Sequence, residues 1–113
     1  MSVDIVILMP VAPKGAGDSE LLRWLADFFG PSAEFLGYGC SLDGTRDLSF
    51  NYKLADGEDV DAWVARLCDF LRSIKADRGT FLALYPEGWR PRQPYHRVDV
   101  WGRNSGRATR CTP

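Results

Sequence analysis

The sequence predicts a single α+β domain with elements in the order βαββαββ, one antiparallel sheet covered by two helices on one face. Three observations lead there. Residues 18–29 and 58–76 carry apolar side chains at helical spacing. Leu48, Phe50, Tyr52 and Leu54 alternate with Asp47, Ser49, Asn51 and Lys53, the period of a strand with one buried and one wet face. Further short apolar or β-branched runs are separated by Gly, Pro and Asp-Gly signals. The chain has 113 residues, which suits one domain.

Each element follows from local chemistry. Val3 to Met9 is a dense aliphatic run closed by Pro10, read as a central strand buried on both faces. Residues 10–17 form a loop, and Asp18 or Ser19 caps a helix whose stripe is Leu21, Leu22, Trp24, Leu25, Phe28 and Phe29. Gly30-Pro31 stops it. Ala33 to Cys40 is a second strand, and Asp43-Gly44 turns it into the alternating third. The second helix, from about Glu58 to Ala76, buries Val60, Trp63, Val64, Leu67, Leu71 and Ile74. Acids stand at its start and Arg72, Lys75 and Arg78 at its end, as the helix dipole favours. Thr80 to Tyr85 and Tyr95 to Trp101 are the last strands, joined by the proline-rich loop 86–94. The first six elements match the split βαβ, ferredoxin-like pattern, with the last strand extending the sheet. Residues 1–103 are read as the domain and 104–113 as a flexible C-terminal tail.

Composition narrows the function classes. Hydrophobic residues make up 45% and charged residues 26%, an ordinary globular balance that argues against disorder. The formal net charge is −1, but it is unevenly spread. Residues 1–84 hold eight basic and thirteen acidic side chains, whereas residues 85–113 hold six arginines and two acids. An electropositive C-terminal region is expected. The N-terminal run has no basic leader and Asp4 interrupts it, against a signal peptide. No stretch approaches the ~20 apolar residues of a membrane span. Cys40, Cys68 and Cys111 make neither a disulfide framework nor a zinc pattern, and Cys68 is expected in the core. The expectation is a cytoplasmic protein with no metal and no cofactor.

Motifs for chemistry are weak. Lys14 to Ser19 opens a helix after a strand, where a phosphate could sit, yet it matches neither the P-loop nor the dinucleotide fingerprint. The acids Asp56, Glu58, Asp59 and Asp61 are accounted for by a helix start rather than a cation loop. His96 is the lone histidine, on a strand face with Val98 and Val100, which reads as structural. The segment from Glu87 to Tyr95 is richer. Prolines hold it extended, and Trp, Tyr and Arg are the types favoured at binding hot spots. The candidate protein-binding residues are Glu87, Trp89, Arg90, Arg92, Tyr95, Arg97 and Trp101. The alternative for Trp89 is that it folds back over the sheet edge. A nucleic-acid surface built on Arg90, Arg92, Arg97, Arg103 and Arg107 lacks the aromatic pattern such sheets carry, and the chain is slightly acidic.

The second half carries a resemblance. The helix DAWVARLCDFLRSI runs into RGTFLALYPEG, then a polar loop and the strand HRVDVWGR. Over residues 58–103 this resembles the small α+β immunity proteins of bacterial polymorphic toxin systems. The resemblance implies a protein that binds a cognate toxin and blocks its active site or substrate access, through complementary shape and charge around a few anchors. It implies no catalytic residues. Two other readings stand beside it. One is a small ligand-binding or regulatory domain, or a homodimer, with Gly37 and Gly39 admitting a ligand closely. The other is an enzyme with Tyr38, Asp47, His96 or Arg97 in a cleft.

Overall fold

The computed structural model describes residues 2–10, 17–86, 88, 94–102, 105 and 107–111. Among them the order is β1 (Ser2–Met9), α1 (Asp18–Phe29), a 3₁₀ turn (Gly30–Ser32), β2 (Ala33–Cys40), β3 (Arg46–Lys53), α2 (Val60–Ser73), β4 (Phe81–Tyr85), β5 (Tyr95–Asp99) and β6 (Ala108–Cys111). The fold is mixed α+β, as the sequence indicates. The expected βαββαββ order is not matched, because a sixth strand lies in the segment read as a tail. Val98 pairs with Ala108 and Tyr95 with Cys111. A four-residue strand without alternation leaves no periodic signal, and only the open edge of β5 makes it a strand.

All six strands form one antiparallel sheet in the order β2-β3-β1-β4-β5-β6. Each helix therefore links two strands that flank a third: β3 lies between β1 and β2, and β1 lies between β3 and β4. The two helices share one core with a single sheet face. Ile5 sits between Phe50 and Leu84, and Ile7 between Leu48 and Leu82. These join Leu21, Leu25 and Phe29 of α1 and Trp63, Leu67 and Leu71 of α2 in one buried cluster. Cys68 is in it, as expected. A Leu or Ile buried in this way contributes roughly 1.5–3 kcal/mol relative to exposure.

β1 is central, but it is not buried on both faces. Val3, Ile5, Ile7 and Met9 are buried, whereas Val6 and Leu8 are half-buried. Among the described residues no helix packs over the second face, and Val6, Leu8 and Phe81 there stay half-buried.

The Gly30 stop and the Asp43-Gly44 turn hold, but the N-cap of α1 differs from the expected one and α2 ends at Ser73, short of the expected Ala76. Gly30, at φ 70°, ends α1 with its N–H donating to Ala26 O. Gly17, not Asp18 or Ser19, is the N-cap of α1. Asp59 caps α2 by accepting from the Asp61 N–H at 3.2 Å. Glu58 does something else. Its carboxylate accepts from the Tyr52 hydroxyl (3.1 Å), the Ala55 N–H (3.0 Å) and Arg66 (3.3 Å). Burial and this carboxylate both raise the Tyr52 pKa above its usual 10, so the phenol stays neutral.

α2 ends in a Schellman motif. The Ala76 N–H donates to Leu71 O (3.0 Å) and the Lys75 N–H to Arg72 O (3.1 Å). Lys75 holds the left-handed position, at φ 63°, that glycine normally fills. Lys75→Gly is expected to stabilise the fold by about 0.5–1 kcal/mol, read as a higher urea midpoint at unchanged m-value.

The β2–β3 hairpin turns at Gly44, φ 89°. Asp43 accepts from the Ser41 hydroxyl and the Thr45 N–H, and these bonds lower its pKa from 3.8 to about 2. A lowered folded-state pKa stabilises above the unfolded value and loses that contribution as pH falls through the folded one. The stability difference between the native protein and Asp43→Ala is therefore expected at pH 6 and should fade between pH 4 and pH 2, as urea unfolding across that range would show.

Candidate functional site

The second sheet face is where solvent-facing chemistry collects. Alternation sends every other residue of each strand there, and the register sets them in rows. Asp4 lies between Asn51 and Tyr85, Val6 between Ser49 and Ala83, and Leu8 between Asp47 and Phe81. On β5, Arg97 lies beside Ala83 and Asp99 beside Phe81. The result is a half-buried aromatic and aliphatic strip flanked by carboxylates.

Three contacts organise it. The Arg97 guanidinium lies 3.8 Å from the Phe81 ring centroid and pairs with the Asp99 carboxylate at 3.1 Å. Exposure at this level makes the ion pair worth no more than about 1 kcal/mol, so its main effect is to orient the guanidinium. Tyr85 and Tyr95 meet at 5.5 Å between centroids, tilted by 37°. Burial, and then Tyr95, push the Tyr85 hydroxyl above its usual pKa, leaving a neutral donor. Asn51 donates to Asp4 at 2.7 Å.

The loop after β4 starts over this face. The Gly88 N–H donates to Tyr85 O at 3.0 Å, closing a tight turn. Gly88 adopts φ 89°, and a Cβ added there would stand 3.6 Å from Asp4 Oδ2. Glycine thus suits the point where the loop leaves the strand.

Of the sequence candidates, Tyr95 and Arg97 lie together on the open face. Glu87, Trp89, Arg90 and Arg92 lie outside the described residues, as do residues 11–16 of the first loop. Trp101 is placed elsewhere. Its indole N–H donates to Ala76 O at 2.9 Å, Arg78 lies 4.4 Å over its ring, and it packs against the core. It fastens the end of α2 to the end of β5. Tyr85 was missed by the sequence reading, although it continues the Phe81, Ala83 alternation and falls opposite Tyr95.

The residues considered for an enzyme are not brought together. Tyr38 pairs with Leu48, and His96 with Leu84, both on the helix side. Three strands separate β2 from β5, a span of about 19 Å. Asp47 and Arg97 lie on the opposite face. Among the described residues no group of three His, Cys, Asp or Glu stands close enough to hold a metal ion.

Leu84, His96 and Ala108 lie on the helix side of β4, β5 and β6. A cleft of about 210 Å³ opens there, walled by Val3, Leu54, Val60, Leu84 and Pro86, with His96 and Asp61 as polar members. Among the described residues no helix is long and apolar enough to cross a membrane. Comparison with protein-family models, curated proteins and solved structures finds no match, so the functional reading rests on these surfaces.

Proposed function

We propose that the chain is a non-catalytic protein-binding domain of the cytoplasm, an immunity protein that neutralises a cognate bacterial toxin. In this reading the sheet is a ferredoxin-like core, β2-β3-β1-β4, extended by β5 and β6. The observation that supports binding is the open face: both helices pack on the other side, and among the described residues no helix covers Tyr85, Tyr95, Phe81 and Arg97 on β4 and β5. Aromatic residues supply large contact area with little entropy loss, and the Arg97 guanidinium is already oriented by Phe81 and Asp99. Asp4, Asp47 and Asp99 around them suit a basic partner surface, such as a nucleic-acid-cleaving toxin presents. Tyr95→Ala and Arg97→Ala are each expected to weaken binding by about 30-fold or more, the loss of a hot-spot residue, in calorimetry against the toxin encoded beside the protein in its native host. Asp69→Ala, on α2 away from that face, should leave affinity unchanged. A native protein that does not bind that toxin would sink the proposal.

The cleft beside His96 favours a second reading, a domain that binds a small apolar molecule. At about 210 Å³ it is smaller than the usual ~300–1,000 Å³ of ligand pockets, so the ligand would be compact. A thermal-shift panel of small metabolites should then raise the melting temperature for an apolar member, with the effect lost in Val60→Trp. A flat panel removes this reading.

A further inference from the structure

The two edges of the sheet are unlike. β6 is four residues long, contains Arg110 and is preceded by Arg107. Short length and charge are the usual means of keeping an edge from pairing. β2 is eight residues long and has one charged residue, Glu34. The large hydrophobic residues that are exposed among the described residues all lie in β2 and its turn: Phe35 at 46%, Leu36 at 50%, Tyr38 at 42% and Leu42 at 109% relative exposure. They fall within eight residues, on and just after the strand at this edge of the sheet.

We propose that β2 is the edge through which two copies of this chain pair, antiparallel and about a twofold axis, joining two sheets into one of twelve strands. Three observations commit the occupant to a second copy. The strand is self-complementary: with the axis at Gly37, Leu36 of one copy faces Tyr38 of the other, and Glu34 faces Cys40. The strand's one charge thus avoids its own copy, as an isologous contact requires. β2 is also an edge strand, pairing only with β3 in the sheet, so its other edge is the side on which a second strand would add. The area also suffices. The four side chains expose on the order of 500 Å², so covering them on both copies buries about 1,000 Å², the threshold for a specific interface. A bulge between Phe35 and Gly37 interrupts the ladder to β3 and shortens the regular backbone the edge can offer. Side-chain burial therefore supplies most of the contact.

The test is the mass of the full chain in solution, by light scattering on a sizing column at tens of micromolar, with no partner added. The expected result is twice the 12.7 kDa chain mass. Leu36→Lys, at an exposed position, should give the monomer mass with an unchanged circular dichroism spectrum. Leu42→Lys, fully exposed and outside the strand, should weaken the dimer without affecting folding. A native chain that stays monomeric, or a dimer that survives both lysine variants, overturns the proposal. The immunity reading is untouched by either result, because its own measurement is toxin binding at the other sheet face.

Discussion

The fold depends on one strand that is hydrogen-bonded along both edges and dry along one face. β1 pairs with β3 on one side and β4 on the other, and its odd residues from Val3 to Met9 are buried. With β1 in the middle, neither helix can join adjacent strands. Each must cross one strand, and both fill the same layer. The second face follows from that choice: it is left to a strip of aromatics and carboxylates, or to whatever binds them.

α2 is the element that ties this layer to the sheet at two separate points. At its start, Glu58 gathers the Tyr52 hydroxyl, the Ala55 N–H and Arg66, while Trp63 stacks on Tyr52 at 4.0 Å. At its end, Arg72 donates to Val100 O at 2.6 Å and Trp101 donates to Ala76 O. Side chains near the helix ends thus do more than answer the dipole: the Glu58 carboxylate accepts from the Ala55 N–H, while Arg72 and the Trp101 indole donate to the Val100 and Ala76 carbonyls. The position of β5, and with it that of Arg97 and Tyr95, follows from the second of these ties.

Most of this architecture was legible because it rests on periodicity. The stripe from Leu21 to Phe29, the alternation from Asp47 to Lys53 and the Asp43-Gly44 turn each encode an element in local chemistry. What was not legible rests on pairing or packing across the chain. β6 has no pattern of its own. Trp101 continues the alternation of β5 and so looked like a neighbour of Tyr95, but the strand ends at Asp99 and the indole turns to the helix. The half-buried state of Val6 and Leu8 could not be read from their hydrophobicity, since a central strand with one cover layer and one with two are equally aliphatic. The site was legible in part: Tyr95 and Arg97 were singled out, while Tyr85 gained its meaning from the register.

The central place of β1 also shapes how the chain must fold. The strand that comes first finds its partners in residues 46–53 and 81–85, so its two ladders join distant parts of the sequence. Pairings of that kind carry loop-closure cost before any burial rewards it, which slows folding. A nascent chain therefore carries an aliphatic strand with two bare edges until β3 and then β4 have been made, and during that interval it is most exposed to aggregation. β5 and β6 meet the opposite situation, since they add late to a template that is already complete.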